Sequence, residues 1–514
     1  MRQIDYFDRG ARAAPDTPCL VQPGMSLDYR SIGSLSRRIA RAIGAERLHA
    51  VGVLSPNDVL GFAAVLGVFR AEALSLALNA RSGIADHVAH LNAGCADALL
   101  FHSSQTEVVR RLRPSVPSVR RLVCIDAETP MAPSLAQWTA AHSDRPLPER
   151  PHEPESIYRL TMTGGTTGKP KGVEMPHRQA HATTSALLEV LRHDEPPRYL
   201  IAAPMTHAAG AIAFHALALG GTLHFLAKPD ARAVLDAIDR HGIHTLIVPP
   251  TLLYAMLAEP TVRSRDWSRL RHLLVGTAPV AADRMREAVD VFGSVLGQLY
   301  GQSECPMMAY LDTAAVAGAV GDASLAHRLL SCGKPLPGTT MAVMADDGTL
   351  LADGERGEIV VRSRQLMRGY RGDPQATAEC SGFGWHHTSD IGWRDPDGFY
   401  YIVDRKRDLI ISGGFNVYPS EVEQVLWSHE AVQDCAVIGV PDDRWGEAVK
   451  AVVQLKPEAP ASVDELIGFC KTRLGSVKAP KTIEIWPELP RSPLGKVLKR
   501  VIRDRYWEGQ QRTI

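Results

Sequence analysis

The feature that most constrains the fold of this chain is a long alternation of short apolar segments with helical ones. The short segments are rich in β-forming residues and have the length of buried strands: 98–101, 122–125, 245–248 and 273–275. Segments 231–241 and 281–291 between or after them repeat apolar residues with helical spacing. Strands that alternate with helices predict an α/β fold of parallel sheets with helices packed on their faces.

The pattern changes twice along the chain. In segment 333–361 the short strands 340–344 and 357–361 are separated by Asp-Gly turns, which predicts an antiparallel part. The charged run 404–408 is followed by a new α/β pattern that continues to the end. We therefore place a domain boundary between residues 404 and 405, giving domains 1–404 and 405–514.

Composition excludes several classes of protein. Of the 514 residues, 45% are hydrophobic and 22% are charged, as in an ordinary globular protein. Lys and Arg total 57, as do Asp and Glu, so the formal net charge is zero and no global field attracts nucleic acid. The eight cysteines are scattered, which predicts reduced thiols and a cytoplasmic location. The most apolar stretch, 61–80, contains Arg70 and Glu72, so we expect no membrane span.

A loop rich in glycine, threonine and lysine carries the strongest chemical signal. The sequence TMTGGTTGKPKG at 161–172 follows a predicted strand at 158–162. Glycines let the backbone N–H groups approach a ligand closely, and hydroxyls and lysines add donors and charge, so the loop suits a phosphate chain. It does not fit the Walker A pattern, because only three residues separate Gly164 from Gly168 and Pro170 follows Lys169. A surface loop without function is the alternative.

Three other segments carry polar groups at strand ends or turns. Segment 300–304 combines an aromatic ring, a hydroxyl and a carboxylate, which suit a base, a phosphate and Mg²⁺; a polar turn is the alternative. Asp390 and Arg405 could hold ribose hydroxyls. Lys496 lies behind Pro and Gly near the C-terminus, where a solvated basic tail is the alternative. His386 and His387 are adjacent, so in a strand they point to opposite faces and are poor metal co-ligands.

In order and spacing these segments resemble the adenylate-forming superfamily, which includes acyl-CoA synthetases, peptide adenylation domains and firefly luciferases. Eight segments covering nearly the whole chain carry the resemblance: 163–171, 276–279, 300–304, 367–370, 385–390, 404–408, 412–421 and 492–496. The resemblance implies a small β-barrel-like part in the large N-terminal domain. It also implies that the small C-terminal α+β domain is mobile.

The resemblance also implies a role for each matching residue. Lys496 is the implied catalytic lysine of adenylation, Arg407 the hinge, and Glu304 with Thr163 the Mg²⁺ ligands. Gly413 and Gly414 line the implied CoA tunnel. The implied ATP-binding residues are Thr163, Gly164, Gly165, Thr166, Thr167, Gly168, Lys169, Pro170, Lys171, Gly276, Thr277, Ala278, Tyr300, Gly301, Gln302, Ser303, Asp390 and Arg405.

Three positions depart from the pattern of the superfamily. Ser389 stands where glycine is usual, Gly164 replaces a usual serine and Ser303 replaces a usual threonine. The last change keeps the hydroxyl, whereas the first two concern local geometry and not the reaction.

The acid pocket is predicted from segment 204–210, which aligns with a segment at the acyl site. The predicted pocket residues are His207, Ala208, Ala209, Gly210, Met307 and Met308. His207 is placed there as a gate or a carboxylate neighbour with a catalytic role; a core histidine is the alternative. Small and adaptable walls favour a bulky apolar acid, aromatic or medium-chain aliphatic. No basic residue stands out as selecting an amino or dicarboxylic acid.

The resulting prediction is an ATP-dependent acyl- or aryl-CoA ligase with ATP, Mg²⁺ and CoA as cofactor and co-substrates. Its partners are small molecules, a carboxylic acid and CoA, with no nucleic acid; whether it forms a homodimer stays open. The alternatives are an adenylation enzyme that loads a separate carrier protein, a non-enzymatic nucleotide-binding protein and a luciferase-like oxidase.

Overall fold

A computed structural model describes residues 1–148, 151–163, 171–457, 459–491 and 497–507. Each strand and helix predicted above has a counterpart there, with ends that coincide or differ by at most two residues. The described strands are β1 Pro18–Gln22, β2 Met25–Asp28, β3 Ala50–Ser55, β4 Leu74–Asn79, β5 Ala98–Phe101, β6 Arg121–Cys124, β7 Ile157–Met162, β8 Gly172–Pro176, β9 Arg198–Ile201, β10 Thr222–Phe225, β11 Thr245–Val248, β12 His272–Val275, β13 Leu296–Tyr300, β14 Ala309–Leu311, β15 Lys334–Pro335, β16 Thr339–Met344, β17 Gly357–Ser363, β18 Gly369–Tyr370, β19 Ser381–Gly382, β20 Trp385–Arg394, β21 Tyr400–Arg405, β22 Ile410–Ser412, β23 Phe415–Val417, β24 Val432–Asp442, β25 Gly446–Leu455 and β26 Thr482–Ile485.

The α-helices cover the faces of the sheets, and short 3₁₀ turns join several elements. The described α-helices are α1 Gln3–Ala13, α2 Tyr29–Ala45, α3 Val59–Arg70, α4 Ile84–Ala93, α5 Thr106–Leu112, α6 Leu135–Thr139, α7 His177–Val190, α8 Ala208–Ala218, α9 Ala231–His241, α10 Pro250–Leu257, α11 Ala282–Phe292, α12 Thr313–Gly321, α13 Pro374–Glu379, α14 Pro419–Trp427, α15 Val463–Lys478 and α16 Lys499–Asp504. One 3₁₀ turn that matters below is Lys406–Asp408, between β21 and β22.

Two large sheets with parallel centres form most of the chain. The nine-stranded sheet has the order β15-β14-β13-β12-β11-β9-β10-β1-β2, and the seven-stranded sheet has the order β18-β8-β7-β4-β3-β5-β6. Strands β13, β12, β11, β9, β10 and β1 are parallel in the first sheet, as are β7, β4, β3, β5 and β6 in the second. Antiparallel strands occupy the remaining edges. The prediction of an α/β fold with parallel sheets is confirmed.

Two smaller sheets follow. Strands β16, β17, β20, β19 and β21 form a five-stranded antiparallel sheet, as the Asp-Gly turns predict. The C-terminal sheet consists of β23, β22, β25, β24 and β26, with α14 and α15 packed on it. Strand β21 ends at Arg405 and still pairs with β20, so Arg405 belongs to the antiparallel sheet. The boundary between residues 404 and 405 remains a prediction.

The core that positions the site is built around α8. This helix is apolar on all sides, and Ile212, Phe214 and Leu217 are at most 3% exposed. It packs in the largest buried cluster, together with side chains from α1, α3 and α7. A helix that is apolar all round belongs in the centre of a protein. Among the described helices, none combines the length and the apolar character that crossing a bilayer requires.

Candidate functional site

Thr163 and Lys171, at the two ends of the predicted phosphate loop, are hydrogen-bonded to each other. We call this pair the neck of the loop. The Thr163 amide donates to the carbonyl of Lys171 at 2.9 Å, and the Lys171 amide donates to Thr163 Oγ1 at 3.3 Å. Strands β7 and β8 form an antiparallel hairpin up to the pair Met162 and Gly172, so this neck continues the ladder. Thr163 and Lys171 are thus held side by side. The loop residues Gly164, Gly165, Thr166, Thr167, Gly168, Lys169 and Pro170 lie outside the described residues, as does Lys496.

Beside the neck, three predicted or neighbouring groups form a chain of contacts. The Lys171 ammonium lies 5.0 Å from the centre of the Tyr370 ring. The Tyr370 hydroxyl donates to Glu304 Oε1 at 2.6 Å, and burial together with this carboxylate raises the pKa of Tyr370. The Glu304 carbonyl accepts from the Met367 amide, which fixes the turn that carries Glu304. A cation and an oriented carboxylate therefore lie near the pair formed by Thr163 and Lys171.

A second polar cluster surrounds Asp390, a residue that is only 3% exposed. Its carboxylate accepts from the Tyr300 hydroxyl at 2.6 Å and from Gln302 Nε2 at 2.9 Å, and Arg405 Nε lies 2.9 Å from its other oxygen. The charge of Asp390 raises the pKa of Arg405, so this guanidinium stays protonated. Strand pairing explains the ion pair, because Asp390 on β20 is directly opposite Arg405 on β21. Residues from two segments that were predicted separately, Tyr300 with Gln302 and Asp390 with Arg405, are brought together here.

Segment 276–279, whose residues are among those predicted to bind ATP, lies next to this cluster. Strands β12 and β13 are parallel with Val275 opposite Gln298, so Thr277 and Tyr300 leave the sheet at the same edge. Crevices at the carboxyl ends of parallel strands are the usual ligand sites of open α/β sheets. Thr277 has a φ of +72°, a strained conformation for a β-branched residue. Such strain is typical of functional segments that the surrounding fold holds in place. Gly276 and Ala278 flank Thr277, and Gly301 and Ser303 lie in the turn after Tyr300.

His207 is the residue that precedes α8, and its carbonyl accepts from the amides of Gly210 and Ala211. Its Nδ1 lies 2.9 Å from the Thr206 hydroxyl. Burial, with the nearby Arg159 cation, lowers the pKa of His207 to about 4. The imidazole is therefore neutral at pH 7 and acts there as a hydrogen-bonding group, not as a cation.

The predicted acid-pocket residues divide into two groups. Ala209 and Met307 are buried in the cluster that contains α8, with Ala208 packed against it, whereas Met308 lies in a different cluster under the antiparallel sheet. Gly210 lines a cavity beside the helix. A Cβ on Gly210 would lie 1.9 Å from the Met205 carbonyl oxygen, so the backbone itself requires glycine there. Its small size is thus not evidence about the acid.

The predicted tunnel and hinge residues lie in or next to the C-terminal sheet. Gly413 and Gly414 have φ of +58° and +80° and form the turn between β22 and β23. The Gly413 amide donates to the Trp445 carbonyl at 2.8 Å. Arg407 is the middle residue of the 3₁₀ turn between β21 and β22. All these role assignments remain predictions.

Comparison with known proteins decides the family. A family model described as AMP-binding enzyme matches residues 7–371, and a second, described as AMP-binding enzyme C-terminal domain, matches residues 421–496. The chain belongs to the AMP-binding enzyme family. The resemblance found in its sequence motifs is thereby confirmed.

Relatives within the AMP-binding family span almost the whole chain. A medium/long-chain fatty acid–CoA ligase of Mycobacterium tuberculosis is 37% identical over 94% of this chain and 86% of its own length. A feruloyl-CoA synthase of an Amycolatopsis species is 36% identical over 97% of this chain and 98% of its own length. Among solved structures, an amide bond synthetase of Marinactinospora thermotolerans matches with a TM-score of 0.89 and 29% identity, over 98% of this chain and all of its own.

Two residues of this AMP-binding enzyme had no role assigned from sequence. Tyr370 belongs to segment 367–370, one of the eight segments that carry the resemblance, but only the fold shows that its hydroxyl reaches Glu304. Asn57 donates to the carbonyls of Ile201 and Ala203 and accepts from the Met205 amide at 2.9 Å, which holds the turn before His207. An asparagine between two apolar elements is the only local signal of that role. In the described part of the chain, no three His, Cys, Asp or Glu side chains form a metal-binding group.

Proposed function

We propose that this AMP-binding enzyme is an ATP-dependent acid–thiol ligase. It converts an aromatic or medium-chain aliphatic carboxylic acid to an acyl adenylate and then transfers the acyl group to CoA. The observation that carries the proposal is the pair of polar clusters described above. One contains Asp390 and Arg405, and the other contains Lys171 and Glu304. The names of the two CoA-forming relatives support it.

In the first half-reaction a carboxylate oxygen of the acid attacks the α-phosphorus of ATP. The bond from this phosphorus to the bridging oxygen breaks, and pyrophosphate leaves. Asp390 and Arg405 hold the ribose, Tyr300 flanks the adenine, and Lys171 with the loop after Thr163 faces the phosphates. Cationic and N–H groups placed where charge develops stabilise the transition state more than the ground state.

The residues present fit a Mg²⁺ ion. Glu304 and Thr163 offer a carboxylate and a hydroxyl oxygen, the hard ligands that Mg²⁺ prefers alongside substrate phosphates. When bound, the ion neutralises charge on the phosphate oxygens. The hydrogen bond from Tyr370 holds the Glu304 carboxylate in one orientation.

In the second half-reaction a thiol attacks the carbonyl carbon of the acyl adenylate, and AMP leaves. The resemblance implies that the C-terminal domain turns between the two steps, so that Lys496 serves the first and the glycines at 413 and 414 serve the second. Two reactions that need different groups at one site give a reason for a movable domain.

The test is AMP release across a panel of aromatic and aliphatic acids, with and without CoA. We expect acid-dependent AMP release that CoA accelerates. Acceleration only by a carrier protein bearing a phosphopantetheine thiol would favour the carrier-loading alternative. ATP binding without AMP release for any acid would contradict both.

The variant Lys496→Ala tests the role proposed for Lys496 in the first half-reaction. We expect adenylation to fall by about 10²–10³-fold, the usual effect of removing one preorganised charge stabiliser. Thioester formation from a supplied acyl adenylate should largely persist. Equal loss in both half-reactions would contradict the role assigned to Lys496.

A further inference from the structure

One cation lies in a mostly apolar strand inside the seven-stranded sheet. Arg159 is the third residue of β7, whose other residues are mostly apolar. Because side chains alternate along a strand, Arg159 shares one face of the sheet with Thr161 and Thr163. Ser75 on β4 is directly opposite Arg159 in the parallel ladder, so it shares that face too.

A cavity lies between this face and the helices α3 and α8. Most of its wall is apolar, with Val53 and Ala77 from the sheet and Phe62, Phe69 and Phe214 from the helices. The polar residues that line it are Arg159, Ser75 and Thr206. Thr206 directly precedes His207, so the cavity adjoins the predicted acid site.

The polar groups of this cavity are incompletely satisfied. Arg159 Nε donates to Thr161 Oγ1 at 3.1 Å and its Nη2 donates to the Thr206 carbonyl. A guanidinium has five N–H donors, and among the described residues no carboxylate lies within ion-pair distance of this one. The Ser75 side chain is fully buried, and in the part of the chain that the structure describes its hydroxyl has no hydrogen-bond partner.

A cation without a counter-ion and an unpaired hydroxyl in an apolar cavity are costly to keep unless a ligand or an ordered water satisfies them. Burial lowers the pKa of Arg159, which agrees with the absence of a carboxylate nearby. Oxygen anions are the groups that a guanidinium binds best, through charge-assisted hydrogen bonds. A carboxylate is therefore the ligand group that this site would bind most strongly.

The position of Arg159 along the strand sets the length of such a ligand. Thr163, at the start of the predicted phosphate loop, is four residues further along the chain and directly follows β7, which corresponds to roughly 13 Å in extended backbone. An acid activated at the phosphate loop and extended along this face would bring its far end to Arg159. Its middle would contact the apolar wall.

We propose that Arg159 and Ser75 form the polar end of the acid pocket and select acids that carry an oxygen acceptor, above all a second carboxylate, at the far end. The proposal rests on the proposed function. It changes the expectation from sequence, where no basic residue stood out. Arg159 is then a specificity-determining residue, and the preferred substrate is a medium-length dicarboxylic acid.

The test compares octanoate, 8-hydroxyoctanoate and octanedioate as acids, with saturating ATP and CoA. The measured quantity is kcat/KM for AMP release. For the wild type we expect octanedioate to exceed octanoate at least tenfold, with the hydroxy acid between them, since a hydrogen bond to a charged group contributes about 1.5–3 kcal/mol. Arg159→Met should remove that preference by lowering the rate with octanedioate while leaving octanoate unchanged or faster.

Two further variants complete the design. Ser75→Ala should reduce the preference for octanedioate by a smaller factor than Arg159→Met. If Arg159→Met does not fold, Ser75→Ala is the variant that tests the proposal. Arg121→Met removes a cation on β6, at the other edge of the same sheet, where Arg121 pairs with Glu46 at 2.6 Å. This control should keep the ratio of the wild type.

The outcomes separate the two proposals. A wild type that uses octanoate as well as or better than octanedioate overturns the polar end of the pocket but leaves the ligase function standing. The same holds if Arg159→Met and Ser75→Ala change all three acids by equal factors. If no acid of this series or of the wider panel supports AMP release, both the ligase function and this inference are overturned.

Discussion

At Ser389 the backbone has a φ of +59°, the left-handed region that favours glycine. The side chain is exposed, and the residue is held by its amide, which donates to Glu358 Oε1 at 2.9 Å. The serine therefore adopts a backbone conformation that glycine reaches at lower cost, at a position where glycine is usual in the superfamily. An L-residue in this region carries a strain of about 1 kcal/mol.

We expect Ser389→Gly to raise the thermal stability slightly, by about 1 °C in Tm, because it removes this strain without removing a side-chain contact. Thermal melting of the whole protein is the measurement. Ser381→Gly is the matched control, since Ser381 is exposed in β19 and has no positive φ. A lower Tm for Ser389→Gly than for Ser381→Gly would contradict the argument.

Tyr370 tests whether a single hydroxyl orients the proposed Mg²⁺ ligand. Tyr370→Phe removes the donor to Glu304, and we expect kcat/KM for ATP to fall about tenfold or more, the effect of losing a hydrogen bond to a charged group. Steady-state kinetics with varied ATP is the measurement. Tyr401→Phe is the control, because Tyr401 donates to the buried Asp395 at 2.9 Å, outside the proposed site. Equal losses in both variants would indicate a purely structural effect.

At the scale of elements, four histidines join α8 to the strands of the nine-stranded sheet. His193 lies between them, 3.4 Å from His215 Nε2 on α8, and its ring is near the rings of His244 and His272. Burial, and then the neighbouring histidines, lowers the pKa of His193 to about 3, and burial lowers the pKa of His215 to about 4. Glu195, 3.2 Å from His244, is the carboxylate that favours protonation there.

These shifts predict a loss of stability in acid. The unfolded chain binds protons on these histidines below pH 6.5, whereas the folded cluster stays neutral down to about pH 4. The stabilisation is therefore complete above pH 6.5 and is lost as the pH falls towards 4, by about 2 kcal/mol at pH 5 for a fully buried histidine.

The measurement is Tm between pH 8 and pH 5 for the wild type and for His193→Asn. We expect the variant to lose less Tm over this range, because it removes the central titrating ring. Parallel curves for the two proteins would mean that the cluster does not control the acid sensitivity.

At the scale of the whole molecule, the 3₁₀ turn at 406–408 is where we expect the C-terminal part to rotate against the N-terminal part. Lys406 Nζ lies 2.6 Å from Asp346, in the turn after β16 of the N-terminal part, whereas Asp408 lies 3.3 Å from Arg503 on α16 of the C-terminal part. The residue before Arg407 thus forms an ion pair with the N-terminal part, and the residue after it forms one with the C-terminal part. A change of backbone angles at this one residue would rotate one part against the other.

We expect Arg407→Pro to separate the two half-reactions, because proline fixes φ near −65° and removes a backbone donor. Acyl adenylate formation should continue, while transfer to CoA slows by about 10²-fold or more if the turn must change conformation. Single-turnover kinetics of each step is the measurement, with circular dichroism to establish folding and Arg407→Ala as the control. Normal transfer in a folded Arg407→Pro protein would exclude a hinge at this position.

The sequence by itself determined the features that depend on neighbours in the chain. Alternating apolar segments specify strands and helices through local periodicity, and the Asp-Gly turns specify the antiparallel pairs. The glycine-rich loop and the motif spacing identified the family, and Tyr300, Gln302, Asp390 and Arg405 were all predicted at a nucleotide site.

Only the tertiary structure decided which distant residues meet. The strand order places β4 beside β7, and this pairing puts Ser75 opposite Arg159 although 84 positions separate them in the numbering. The same holds for Tyr370 with Glu304 and for the four histidines around His193. The physical reason is that side-chain satisfaction in a buried site depends on strand order and register, and local propensity carries no information about either.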